Sequence, residues 1–252
     1  LRLVKQTVNF DDPFTYQLYY GDSQGTPGTI LTFFPWENLP RGKIGTGMVT
    51  AINFAVPRHS IDFWIERLRN RNIPIKTVER FGDPVIQFAD PHGLPIELTG
   101  VTAPLSTEYW ENGPIAEAHA VRGFHSATAT LTSLDESKAL LVDIMGMSLH
   151  GQERNRFRFR MNQPAAPGIY YDIVVEPDSL PGRPGTGTVH HIAFRTHNDA
   201  TEIGWQSNLR ASGQAVTDVR DRKYFRSIYF RAPENVLFEI ATDPPGFTVD
   251  ES

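Results

Sequence analysis

The sequence predicts an α+β protein assembled from repeated βαβββ modules, and three observations carry that expectation. The first is internal repetition. Gly45-Thr46-Gly47-Met48-Val49-Thr50-Ala51-Ile52-Asn53-Phe54 lines up with Gly185-Thr186-Gly187-Thr188-Val189-His190-His191-Ile192-Ala193-Phe194. The second is the order of patterns after each string: one run at the helical period, then three at the strand period. The third is the end of each copy, an apolar strand holding one buried-looking glutamate, Pro95-Ile96-Glu97-Leu98 and Leu237-Phe238-Glu239-Ile240.

Taken in order, the first fifty residues look like a module whose beginning is absent. Leu1-Arg2-Leu3-Val4 matches Met147-Ser148-Leu149-His150, so the expectation is that a strand and a helix of roughly 20 to 25 residues are missing ahead of Leu1. Module two has its strand at Gly45 to Phe54. Its helix opens near Ser60 with Ile61, Trp64, Ile65 and Leu68 on one face, and its final hairpin turns through Asp90-Pro91-His92-Gly93. A linker is expected over 103–120. Module three opens at Gly123-Phe124-His125-Ser126. Its helix carries Ser133 with Glu136 three residues on, a capping-box signature, and strands follow around Phe157 to Arg160 and Ile169 to Val175. Module four has Asn198 as the cap of a helix carrying Ile203 and Leu209, and a last hairpin through Ala232-Pro233-Glu234-Asn235. The expected organisation is four modules in two paired-module half-barrels: an N-terminal half over 1–102 with the truncated module one, and a C-terminal half over 121–252.

Bulk properties narrow the function. The 252 residues suffice for a sizeable core, and 40% hydrophobic with 21% charged residues is the balance of a globular protein. With 24 Lys and Arg against 29 Asp and Glu the net charge is −5, and no run of basic residues favours nucleic acid. No apolar stretch approaches the roughly 18 residues that span a bilayer, and the opening Leu-Arg-Leu-Val-Lys is not a signal peptide. Zero cysteines remove disulfides, thiolate metal sites and a cysteine nucleophile, and make the cytoplasm the default address. Any metal must sit on His and carboxylate.

Alternation along the strands picks out a candidate site. His191 points with Val189 and Ala193, while His190 points with Ile192 and Phe194. Phe238 and Ile240 oppose Glu239, and Ile228 and Phe230 oppose Tyr229. If the Ile/Phe face packs on a helix, then His191, Glu239 and Tyr229 share the other face. An imidazole beside a carboxylate is two thirds of the 2-His-1-carboxylate set that binds non-haem Fe(II). Periodicity alone favours a plainer reading, two surface strands with incidental polar residues.

Paired βαβββ modules with His on the first strand and Glu on the last resemble the vicinal oxygen chelate superfamily, which holds glyoxalases, extradiol dioxygenases and antibiotic-resistance binding proteins. Longer strings make the resemblance sharper. Leu1-Arg-Leu-Val-Lys-Gln-Thr-Val-Asn-Phe-Asp-Asp-Pro, Gly25-Thr-Pro-Gly-Thr-Ile-Leu-Thr-Phe-Phe-Pro-Trp and Thr188-Val-His-His-Ile-Ala-Phe-Arg are similar to ring-cleaving dioxygenases acting on hydroquinones. The resemblance implies an Fe(II) enzyme, with Mn(II) able to replace Fe(II) in the same ligands. It opens the ring of a hydroquinone or catechol with O2, its partners being a small aromatic substrate and O2, and a homo-oligomer is compatible with it. It implies His191 and Glu239 as metal ligands, and a further His on the strand expected upstream of Leu1. It also implies Tyr229 beside the metal-bound oxygen and Arg222 stabilising negative charge, while alternation, which turns His190 away from His191, gives His190 a supporting role. Plainer alternatives are a packed strand tyrosine for Tyr229 and a solvated loop cation for Arg222. In module two, Ala51 stands where His191 stands, so Glu97 is expected to hold no metal; in module three, Ser126 holds that place and His125 is read as structural. His59, His92, His119, His150 and His197 are expected in loops or at element ends. Two other functions stay open: a glyoxalase-like lyase or isomerase using a metal as Lewis acid, and a metal-free protein that binds an aromatic toxin.

Overall fold

The computed structural model describes residues 1–102, 108–163 and 166–250, so 103–107 of the expected linker lie outside the described residues. Strands β1 (Arg2–Val8), β2 (Tyr16–Gly21) and β3 (Leu31–Phe33) make an antiparallel sheet in sequence order. Module two supplies β4 (Met48–Pro57), α1 (Ile61–Arg69), β5 (Lys76–Arg80), β6 (Asp83–Ala89) and β7 (Pro95–Val101). Module three supplies β8 (Phe124–Leu131), α2 (Asp135–Ala139), β9 (Ser148–Glu153), β10 (Arg156–Arg160) and β11 (Tyr170–Val175). Module four supplies β12 (Ile192–Thr196), α3 (Asp199–Ala211), β13 (Arg220–Asp221), β14 (Arg226–Arg231) and β15 (Leu237–Thr242). In each of these three, the first strand lies parallel to the last because the chain crosses over through a helix, and the remaining strands follow as antiparallel neighbours.

The sheets group these units otherwise than the expected halves. β4 pairs antiparallel with β8, so modules two and three share one eight-stranded sheet, β5-β6-β7-β4-β8-β11-β10-β9. The physical reason is the free edge of β4. Its backbone groups beyond the β7 ladder need partners, and β8 presents the complementary edge. The three-stranded sheet instead packs on module four. There Val4 and Tyr19 join Tyr224 and Phe247 in one buried cluster, with the Tyr19 and Phe247 rings 4.8 Å apart. The expected boundary over 103–120 therefore divides the chain but not the sheets.

Helix starts and faces show where local signals hold. Asn198 Oδ1 accepts from the Thr201 amide at 3.0 Å and the Thr201 hydroxyl accepts from the Asn198 amide at 3.1 Å, a reciprocal cap. The Ser133–Glu136 box does not form. The amides of Thr132 and Ser133 donate instead to the Glu234 carboxylate at 2.7 and 2.8 Å, and α2 starts only at Asp135 before opening into a π turn over Leu140–Ile144. The inward stripe of α3 is Glu202, Trp205 and Leu209, while Ile203 is half exposed. Seven residues are nearly two turns, whereas the six from Ile203 to Leu209 are about one and two-thirds, so those two cannot share a face. The main core lies between modules three and four, where Phe159, Tyr171, Leu209, Ile228, Phe230, Phe238 and Ile240 are all buried.

The glycine-rich strings that mark the repeat are where the two copies hold each other. Gly42 and Lys43 donate to the carbonyls of Thr186 and Arg183 at 3.0 and 2.8 Å. Thr186 and Arg183 donate back to Pro40 and Lys43 at 3.0 and 2.7 Å. A Cβ on Gly45 would land on the Leu180 carbonyl, and one on Gly185 on the Pro40 carbonyl, so both places require glycine. Among the described residues no helix is long and apolar enough to cross a membrane.

Candidate active site

β15 sits between β12 and β14, which fixes the site. Ala193 and Tyr229 both lie opposite Glu239 in register, and the apolar side chains of all three strands go to the core face as alternation requires. Glu239 is left on the other face, 3% exposed, with His191 Nε2 2.8 Å from its Oε2 and the Tyr229 hydroxyl donating to its Oε1 at 2.6 Å. Burial works against the charge of Glu239, and the hydrogen bonds from His191 and Tyr229 outweigh it, holding the carboxyl below its ordinary pKa. Burial and then the charge of Glu239 push the Tyr229 phenol up, so it stays a protonated donor.

The histidines sit differently from simple alternation. The regular ladder of β12 begins only at Ile192, because among the described residues β12 is an edge strand without the antiparallel neighbour that β8 gives β4. Freed of a ladder, His190 does not face away. Its Nδ1 lies 2.8 Å from His191 Nδ1, so one ring must donate and the other accept. His190 keeps an exposed edge, yet loss of hydration beside Phe34 and Trp36, and next the neighbouring His191, lower its pKa to about 4.

Module one closes the site from the opposite side. Arg222 is buried rather than solvated. Its guanidinium lies 5.6 Å from the Tyr229 ring centroid and donates to Asp11 Oδ2 at 2.7 Å, while Arg220 donates to Asp11 Oδ1 at 2.8 Å. Asp12, the next residue, accepts from Trp36 Nε1 at 3.2 Å, and Trp36 stacks on Phe34 at 5.0 Å. The Tyr19 and Ser227 hydroxyls are buried with no hydrogen-bond partner among the described residues. Tyr19 feels the charge of Glu239, and Ser227 lies on the same face two residues before Tyr229.

Modules two and three build a second cleft by the same plan and fill it with arginine. Glu97 accepts from Arg80 at 2.5 Å, Gln87 at 2.7 Å and Asn53 at 3.3 Å. Asp172 takes Arg158 at 2.8 and 2.9 Å and Arg156 at 2.9 Å. His125 is buried against Ser126, and burial lowers its pKa to about 3. Elsewhere His59 meets the Ala118 carbonyl at 2.9 Å, His119 stacks on Phe63 at 4.0 Å, and His150 lies within β9 rather than in a loop. Both buried carboxylates of the second cleft thus own a guanidinium. Glu239 has none among the described residues; its charge faces an imidazole.

Residues 123–250, modules three and four, match the family model described as Glyoxalase/Bleomycin resistance protein/Dioxygenase superfamily. The chain belongs to that superfamily. Its relatives within the superfamily include the Bacillus subtilis protein named ring-cleaving dioxygenase MhqO, 44% identical over the whole chain and 80% of the relative. Another is the chlorohydroquinone/hydroquinone 1,2-dioxygenase of Sphingobium indicum, 34% identical over the whole chain and 80% of that enzyme. A crystal structure of a Bacillus subtilis dioxygenase superposes with a TM-score of 0.94 at 44% identity, covering all of this chain and 80% of the other.

The superfamily's metal dependence can be tested against these residues. Among the described residues no three of His, Cys, Asp and Glu converge to hold a metal. His191 and Glu239 offer two ligand atoms facing each other, with a buried carboxylate that no guanidinium among the described residues neutralises. That donor set suits a divalent cation and supplies part of its shell. Asp11, Phe34, Trp36 and Tyr19 were not foreseen, while alternation had already set Ser227 on the Tyr229 face. The one available signal was Asn9-Phe10-Asp11-Asp12-Pro13, a turn-forming string with two adjacent carboxylates.

Proposed function

We propose that this protein is a non-haem Fe(II) dioxygenase that cleaves the ring of a hydroquinone, with His191 and Glu239 among its metal ligands. The observation that carries this reading is Glu239 itself. It is a buried carboxylate aimed at an imidazole, with no guanidinium on it among the described residues. The names of the relatives support the ring-cleaving chemistry. When bound, the metal supplies a Lewis acid and an electron path on which a phenolate and O2 can meet.

The chain's own groups have definite tasks. Tyr229 holds Glu239 Oε1 by a 2.6 Å hydrogen bond and so fixes the carboxylate, leaving Oε2, which faces His191 Nε2, as the oxygen that would hold the metal. With His191 Nε2 as ligand, His191 Nδ1 carries its proton and donates to His190 Nδ1, which sets the tautomer and the ring orientation. Arg222 lies over Tyr229 as a fixed positive charge for a phenolate. The stacked Phe34 and Trp36 give a flat apolar wall for an aromatic ring.

The test is oxygen uptake by the protein loaded anaerobically with Fe(II), offered hydroquinone, methylhydroquinone and catechol in turn. One O2 consumed per ring lost establishes the reaction, and the preferred compound gives the substrate class. Iron bound without uptake points to a lyase or isomerase, and no iron bound points to a binding protein.

A further inference from the structure

Arg222 and Arg80 occupy the same place in their modules. Each stands seventeen residues ahead of its glutamate, as Gln87 and Tyr229 each stand ten ahead. The registers agree, with Gln87 opposite Glu97 and Tyr229 opposite Glu239. The turns agree too, since Arg80 pairs with Asp83 and the Arg222 amide donates to Phe225 at 2.9 Å. The side chains nevertheless go different ways. Arg80 closes on Glu97 at 2.5 Å. Arg222 lies against the very phenol that touches Glu239, yet it turns to Asp11 at 2.7 Å. Asp11 is held for this by its own loop, its amide donating to Asn9 Oδ1 at 2.9 Å, and it takes Arg220 as well at 2.8 Å.

We propose that Asp11 is a positioning residue that captures Arg222 and so keeps Glu239 open to a metal ion. The inference rests on the reading of His191 and Glu239 as ligands. A guanidinium that lands on a carboxylate takes the same lone pairs a metal would use and cancels the same charge. Arg222 is 7% exposed, so without Asp11 it is a buried charge in need of a partner, and Glu239 stands one phenol away. Module two shows the outcome of that move: Arg80 on Glu97, with both ends neutralised. Asp11 comes from module one, whereas Arg222 and Glu239 come from module four. The docking of the two modules therefore decides which carboxylate the arginine holds.

The experiment is a Mn(II) titration of the full chain by calorimetry, comparing wild type, Asp11→Ala, Arg222→Gln and the double variant, with circular dichroism as a check on folding. Asp11→Ala is expected to bind Mn(II) about 10- to 100-fold more weakly. Arg222→Gln keeps the wild-type affinity, and the double variant regains it because the competing guanidinium is gone. Equal affinity of Asp11→Ala and wild type overturns the proposal. So does a double variant as weak as Asp11→Ala, since Asp11 would then act through loop structure alone. A wild-type chain that binds no Mn(II) removes the ligand reading and this proposal with it.

Discussion

Glu239 and Glu97 stand at the same point of two modules, and their neighbours decide what each does. Around Glu97 the partners are Arg80, Gln87 and Asn53; around Glu239 they are an imidazole and a phenol. Replacing Glu239 by Gln removes the charge and keeps the shape, so the fold should stand by circular dichroism while Fe(II) affinity and oxygen uptake are lost. Uptake at the wild-type rate would end the ligand assignment. Tyr229→Phe removes only the hydrogen bond to Oε1, and turnover should fall by about 10- to 100-fold with iron still bound. Release of iron from that variant would give Tyr229 a structural part instead. Alternation made Glu239 and Tyr229 legible as one face because the two are paired in the β14–β15 register, and it carried His191 to that face from one residue ahead of the ladder. The His190 ring was not legible, since it precedes the ladder and alternation has no hold on it there. Asp11 and Trp36 were hidden for another reason: they reach the site through packing between modules, which no local period encodes.

Among the elements, α3 best shows the limits of pattern. Asn198 announced its start correctly, but the helix turns Glu202 inward and Ile203 out. Glu202 is fully buried, and neither carboxylate oxygen has a hydrogen-bond partner among the described residues. Burial pushes its pKa up to about 7, with the Arg226 charge opposing. The folded state thus holds a proton that the unfolded chain releases near the ordinary carboxylate value of 4.5. The stability tied to that proton is full below about pH 4.5 and is lost as pH rises through about 7. Glu202→Gln should therefore raise Tm at pH 8, by about 2–4 °C for each kcal/mol recovered, and leave it little changed at pH 5. Melting curves at the two pH values check this, and an equal gain at both would refute the ionisation argument. Sequence could not place Glu202, because a charged residue one position off an apolar stripe reads as surface.

At the scale of the molecule, one plan is used twice with opposite charge logic. The cleft of modules two and three closes its carboxylates with guanidinium, while the cleft of modules one and four leaves its glutamate to an imidazole. Stability and chemistry are thereby assigned to different sheets. Arg80→Met should cost about 3–5 kcal/mol in denaturant unfolding, because Glu97 stays buried without its cation. Iron binding and oxygen uptake by the folded fraction should be unaffected, and loss of iron there would show that the clefts are coupled. The module pattern was legible because each unit repeats its own strand order. The partnering of units was not, since edges and interfaces carry no period. The glycine strings that betrayed the repeat turn out to be its joint. Residues 40–46 grip 180–186 by bonds that each side returns to the other, which is how identical subunits meet across a two-fold axis. This single chain thus carries inside itself a contact built like that of a dimer, with the difference that each side can be changed without changing the other.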